Sequence, residues 1–340
     1  MPNPIWNTEQ HRLRAVPRIL LFLLLWGMLA LGMVFVMSDI LTPLVPADSV
    51  LMSTVGENGS FLFAELINPI GPLVATILSL LAASRLLDRR SVAEYGFHFN
   101  GRWFADLGAG LVIGTLLMML VFIIELMTGM VQVTAVLQSN EAALSFGAGL
   151  LAGVILFICT GIYEEIFSRG YPLRNLAEGF NRKRLGSGTA LVLGYIASSV
   201  IFGLLHIFNH YATPLALVNL VIAGLWLGLA YVLTGEMGLP IGLHIAWNFC
   251  EGNVFGFPVS GVHTLASVLA VQQQGPDLLT GGTFGPEGGL VSLLAMLVGC
   301  LLVLGWVQLS RGNVAWRTDL AVYHPAEESQ PVPMPTEHQG

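Results

Sequence analysis

Glu164 and Glu165 stand side by side at the end of the apolar run LSFGAGLLAGVILFICTGIYEEIFSR, and Arg169 follows four residues on. Two later apolar segments carry His206 and His244, with Phe202 four residues before the first and Asn248 four residues after the second. Residues four apart share a helix face. Glu165 therefore faces Arg169, Phe202 faces His206, and His244 faces Asn248. Glu164 lies one position round, about 100° away, so only one of the two carboxylates can address a given site squarely. The other is free to pair with Arg169. Acids and imidazoles inside apolar segments are ingredients of a buried hydrolytic or metal site. Peptide hydrolysis needs a base, an oxyanion donor and a place for water, and this set supplies them without a nucleophilic Ser or Cys.

The elements that must carry these groups are membrane spans. Of 340 residues, 54% are hydrophobic and 10% charged, with mean hydropathy +0.74; a soluble domain carries about 25% charged residues. A spanning helix takes about 20 mostly apolar residues. Eight segments qualify: 18–37, 61–83, 104–127, 144–164, 187–206, 214–233, 239–256 and 289–309. The seventh is short and opened by Pro240; the fifth begins with Gly186, Ser187 and Gly188. The first follows Arg12, Arg14 and Arg18 and reads as a retained signal anchor, because its apolar run is longer than that of a signal peptide. All 14 Lys and Arg fall where eight alternating spans place one side of the membrane, and none falls in 38–60, 128–143, 207–213 or 257–288. Basic residues in short loops are retained inside. The expected fold is thus an all-α polytopic bundle of about eight transmembrane helices with both termini cytoplasmic, in a plasma membrane. Its parts are an N-terminal segment 1–17, an embedded domain 18–310 and a tail 311–340. The tail from about 324 is rich in Pro, Glu and Gln and reads as disordered; 256–288 reads as a Gly-rich, partly ordered outside loop. Gly110/Gly114, Gly224/Gly228 and Gly238/Gly242 suit close helix contact. Cys159, Cys250 and Cys300 read as small buried hydrophobes.

Each motif alone has an ordinary explanation. A Glu-Glu pair beside basic residues is often a solvated helix end, and a single His in a membrane helix is more often an interhelical hydrogen-bond donor. Glu65, Asp106, Glu125, Glu236 and Glu251 are further acids in or near spans, expected mostly at interfaces or in structural hydrogen bonds. Glu65, with Asn68 and Pro69, suggests a second, lesser polar site. Depth sets a condition on any shared site. His206 lies about 22 residues beyond Arg184, or ~33 Å of helix, a full bilayer away. Either span five begins outside the core or tilts, or span four runs past Glu164 toward Leu176.

Taken in order, EExxxR, FxxxH and HxxxN, with the surrounding YEEIFSRGYPLRNL, SSVIFGLLHIFNH and PIGLHIAWNF, resemble the CPBP family. These are intramembrane endopeptidases related to the type II CAAX prenyl protease and to bacteriocin-processing proteins. The resemblance covers roughly 144–255. Ser168 stands where members usually have an aromatic residue, and Pro172 interrupts what is often continuous helix. The resemblance implies a glutamate-dependent, metal-independent peptidase. Glu164, helped by His206, would activate water; His244 and Asn248 would donate to the oxyanion; Glu165 and Arg169 would orient the site; Phe202 would pack beside His206. The implied partners are the bilayer and a membrane-associated or lipidated protein or peptide, not nucleic acid.

Other readings of the same residues remain. Glu164, His206 and His244 with a water would suit zinc, although HExxH is absent and Arg169 disfavours a cation. The acids and histidines could line a proton or cation path in a transporter, without the inverted repeat and broken helices such proteins show. A scaffold or immunity factor could keep the fold without activity. Oligomeric state is not legible. A shared catalytic pocket requires Glu164, His206 and His244 to meet within about one water of each other, ~4–8 Å.

Overall fold

The computed structural model describes residues 3–55, 60–142 and 144–324; the Pro-rich tail beyond 324 lies outside them. Eleven helices are used below: α1 Ala15–Phe35, α2 Leu62–Ile67, α3 Ile70–Ala83, α4 Gly101–Met127, α5 Phe146–Glu165, α6 Arg174–Phe180, α7 Gly186–Leu205, α8 Pro214–Thr234, α9 Gly238–Phe249, α10 Asp277–Thr280 and α11 Leu290–Arg311. Among the described residues they form seven continuous rods long and apolar enough to cross a membrane: Ala15–Leu44, Leu62–Asp88, Gly101–Met127, Phe146–Phe180, Gly186–Leu205, Pro214–Thr234 and Leu290–Arg311. Each coincides with one expected span. The chain is an all-α multi-pass membrane bundle.

The remaining expected span, 239–256, has a different character. It is the short helix α9, extended by π-helical turns over Cys250–Val254. Of α9's side chains, only those of Ile245 and Phe249 are more than marginally exposed. It is an inner helix, wrapped by α4, α5 and α8. Glycines make that wrapping possible. A Cβ on Gly110 would run into the Leu239 carbonyl, and one on Gly242 would run into the Leu107 carbonyl. The same holds for Gly238 against Trp103 and Gly114 against Leu243, so α9 lies against α4 and runs parallel to it. Such backbone contact is what small residues permit in lipid.

Two further differences from the sequence reading matter. Span four does not stop at Glu164. The helix passes through π turns over Ile166–Leu173 and continues as α6 to Phe180. Pro172 lacks an N–H and cannot hold a regular helical bond; the widened turns absorb it without ending the rod. The second difference is the stretch 256–288, expected as a loop. Its residues Ala266–Gln273 pair antiparallel with Val131–Ser139 in a two-stranded ribbon over the end of the bundle.

The two ends of the bundle carry different chemistry. Arg12 and Arg90 bond Glu178, Arg18 bonds Asp88, and Asn181 donates to the Ala321 carbonyl at 2.9 Å. The Arg12 guanidinium also lies 3.3 Å from the centre of the Tyr323 ring. Both termini of the described chain therefore sit at the end that gathers the basic residues. The ribbon and the turns after α7 and α9 occupy the opposite end.

Candidate active site

Glu165 is fully buried and anchors the site. Its Oε1 accepts from Nη1 of Arg169 at 2.8 Å and contacts Nδ1 of His244, also at 2.8 Å. The four-residue spacing on one continuous helix delivers the first bond; close approach of α9 to α5 at Gly161, where a Cβ would meet Ile245, delivers the second. Arg169 is itself fixed. Its Nη2 donates to the Gly224 carbonyl at 3.1 Å, and its guanidinium carbon lies 4.2 Å from the centre of the Phe202 ring. Because the carboxylate only accepts, Nδ1 of His244 is the protonated nitrogen of this contact. That orients Nε2 toward Glu164.

Glu164 points the other way, into a cavity. Its Oε2 lies 3.8 Å from Nε2 of His244 and 3.9 Å from Nε2 of His206. Both separations exceed a hydrogen bond, and both are short enough for a single water to touch the carboxylate and either ring. They fall at the near edge of the range the sequence reading required. The Tyr163 hydroxyl donates to Glu164 Oε1 at 3.2 Å. His206 caps the outer end of α7, and its Nδ1 bonds the Phe202 carbonyl at 2.8 Å, which again turns Nε2 to the cavity. Phe202 packs against both imidazoles, 4.9 Å from His206 and 6.1 Å from His244 between ring centres. Asn248 lines the same cavity one turn beyond His244. All seven residues singled out from the sequence thus gather at one place, six of them around Glu164.

The depth condition is met by the second of the two alternatives. Glu164 lies inside a rod that runs on to Phe180, so it is not at a helix end, and His206 meets it from the end of α7. The cavity measures about 410 Å³. Its floor is the α5–α9 contact, and its rim is formed by loops of the end away from the arginines: His210, Ser260, Val262 and His263. Glu65 belongs to this same cavity rather than to a second polar site. The other acids divide. Asp106 is tied to Arg311 at 2.6 Å and Glu236 to His98 at 2.9 Å, as structural groups should be. Sequence reasoning misses Glu287, a buried acid on the turn before α11 that lines the cavity and accepts from the Ser260 hydroxyl at 2.7 Å. It sits in a Gly-rich stretch with no helical spacing to flag it. Among the described residues no group of three or more His, Cys, Asp or Glu is arranged to hold a metal ion.

The site is thus a carboxylate beside two imidazoles, held by a second carboxylate and an arginine within membrane-length helices. Residues 146–250 match the family described as type II CAAX prenyl endopeptidase Rce1-like. That segment, under a third of the chain, is similar to the CAAX-type endopeptidase family that the motifs resemble. Glu164, Glu165, Arg169, Phe202, His206, His244 and Asn248 all lie inside the matched segment; Glu65, Ser260 and Glu287 lie outside it. No curated protein and no solved structure matches the chain significantly.

Proposed function

We propose that the chain is a metal-independent glutamic endopeptidase that cuts a membrane-associated or lipidated peptide in this cavity. Glu164 takes a proton from a water shared with Nε2 of His206. The hydroxide oxygen forms a bond to the scissile carbonyl carbon, and the carbonyl oxygen becomes an oxyanion. His244 and Asn248 donate to that oxygen. His244 does so through Nε2–H, and since Nδ1–H is committed to Glu165 this requires the imidazolium. Charges then balance across the site: two carboxylates, one guanidinium, one imidazolium. The C–N bond breaks as the proton on Glu164 passes to the leaving nitrogen, and both products depart neutral at the cut. Glu165 and Arg169 touch no reacting atom; they hold His244. A single donor of this kind is worth about 3–4 kcal/mol.

The convergence of Glu164 Oε2 with both Nε2 atoms carries this reading. The basic residues gathered at the other end support a plasma-membrane topology with cytoplasmic termini. The test is cleavage of a prenylated CAAX peptide panel and its unprenylated twins by the chain in nanodiscs. Glu164→Gln and His206→Ala should each remove the cut while the protein stays folded. Cleavage surviving both substitutions, or parent cleavage that requires added zinc, would discard the mechanism. Ion flux in proteoliposomes that needs Glu164, with no cut peptide, would replace it with a transporter.

A further inference from the structure

Apart from the His244 imidazolium that Glu165 holds, the charged groups lining the cavity are acids. Glu65, Glu164 and Glu287 line it, and none of its described lining residues is Lys or Arg. Glu287 is only 6% exposed, and among the described residues no Lys or Arg forms an ion pair with it. Its place is fixed rather than incidental. The side-chain amide of Asn219 donates to the carbonyls of Glu287 and Gly289 at 3.1 and 2.9 Å, pinning the turn, and Ser260 orients the carboxyl. A buried carboxylate without a counter-cation is costly, and burial duly pushes the Glu287 carboxyl up, against the pull of the Ser260 hydrogen bond and of the nearby His206 and His244. Glu164 and, from behind, Glu251 face it as further acids. The group can stay neutral while the cavity is empty and ionise when a cation arrives.

The rim continues this pattern. The mouth lies at the end of the bundle from which all 14 Lys and Arg are absent, beside Glu65 and the exposed His210 and His263. A positively charged segment meets no repulsion on that approach, and an acidic one meets like charge throughout.

We propose that the cavity accepts a cationic stretch of the peptide, one bearing Lys, Arg or a free α-amine, with Glu287 as the residue that meets its charge. This rests on the cavity being the place where the peptide is cut, and it names the class of peptide. Glu287 acts in selection, not in the hydrolytic step.

Binding is measured on the full chain carrying Glu164→Gln in nanodiscs, so that no cut intervenes. The probes are two fluorescent peptides identical in length and apolar sequence, one with a central Lys-Lys and one with Glu-Glu. The basic twin should bind at least ~10-fold tighter, as charge complementarity of this kind allows, and its advantage should grow as pH rises through the Glu287 titration. Adding Glu287→Gln should bring the twins within ~3-fold of each other, and Glu287→Lys should favour the acidic one; helix content and thermal midpoint show that these variants are folded. If Glu287→Lys does not fold, Glu287→Gln with Ser260→Ala as the control for the lost hydrogen bond decides the matter. Equal binding of the twins to the parent, or a preference unchanged by Glu287→Gln, overturns the proposal. A chain that prefers the basic twin yet cuts nothing defeats the protease reading alone. A chain that cuts neutral and basic peptides alike defeats this one alone.

Discussion

Among the polar clusters of the described residues, two that are buried in this apolar bundle treat carboxylates in opposite ways. At the basic end Asp88 and Glu178 hold four arginines. Glu178 takes Arg90 at 2.5 Å, Arg12 at 2.9 Å, Arg18 at 3.3 Å and Arg174 at 3.7 Å. Asp88 takes Arg18 at 2.5 Å, the Tyr95 hydroxyl and the Asn175 amide. Every acid there has opposite charge against it, and α1, α3 and α6 are tied together through them. In the cavity, by contrast, the hydrogen bond that Glu164 makes among the described residues is to the Tyr163 hydroxyl, with two imidazoles standing just beyond bonding distance. Satisfied carboxylates staple helices and have nothing left to offer a ligand. The cavity keeps lone pairs unused, and a folded protein tolerates that where a substrate supplies the missing partner. Glu165 has a guanidinium against it, as the acids of the first cluster do, although it sits in the second, which is why two adjacent acids can have separate duties.

The contrast predicts that removing an acid from one cluster should cost activity and from the other stability. The largest effect should come from Glu164→Gln, lowering kcat by about 10²–10⁴-fold, the span of a lost general base. The unfolding midpoint of the purified chain in detergent should stay put. A loss of folding instead would place Glu164 among the staples. Next is Glu178→Gln, which leaves buried arginines facing a neutral amide. Breaking a buried pair costs about 3–5 kcal/mol, to be read as a lower thermal midpoint and reduced yield, while the kcat of the surviving folded fraction stays near the parent's. A fall in kcat at unchanged stability would show that the two ends are coupled.

How much of this was legible depended on whether a contact is local. The Glu165–Arg169 bond and the shared face of His244 and Asn248 follow from four-residue spacing, and they stand where that spacing puts them. The meeting of α5, α7 and α9 required three distant segments to approach, and only the ordered motifs hinted at it. The apolar run of span four stops at Glu164, where a carboxylate pair followed by basic residues looks like a helix exiting lipid, and only the depth condition points to a run on toward Leu176. In fact Glu165 and Arg169 neutralise each other in place, and the helix goes on. The seventh span was legible as apolar but not as an inner helix; Gly238 and Gly242 were the available sign. The ribbon is hard to read from sequence because only VQVTA, at its start, alternates apolar and polar residues, the strand signature, and its partner lies more than a hundred residues on. Neither Asp88 nor Glu178 has a spacing that points to the other, so the staple was invisible until the helices were assembled.

Asn248→Ala sharpens the comparison from the cavity side at smaller cost. Loss of one oxyanion donor lowers kcat by about 10²–10³-fold, and KM should hardly change, since the interaction belongs to the transition state. An equal rise in KM would mean that Asn248 holds the substrate in its ground state instead.

The smallest effect should come from an acid that belongs to neither cluster. Asp319 pairs with Arg317 at 3.0 Å, and both side chains are about half exposed, 51% and 48%. Partial burial works to raise the Asp319 carboxyl, but the hydrogen bond and charge of Arg317 outweigh it and hold the group below its ordinary value. A carboxyl lowered on folding stabilises the protein above its unfolded-state pKa, and the contribution is lost as pH falls through the lower folded-state value. Water screens an exposed pair, so Asp319→Asn should cost only about 0.2–1 kcal/mol near neutrality. The difference between parent and variant should vanish below the carboxylate range, whereas that for Glu178→Gln should remain large at every pH above it. If Asp319 proved as costly as Glu178, burial would not be what separates a staple from a surface contact, and the distinction between the two clusters would have to rest on geometry alone.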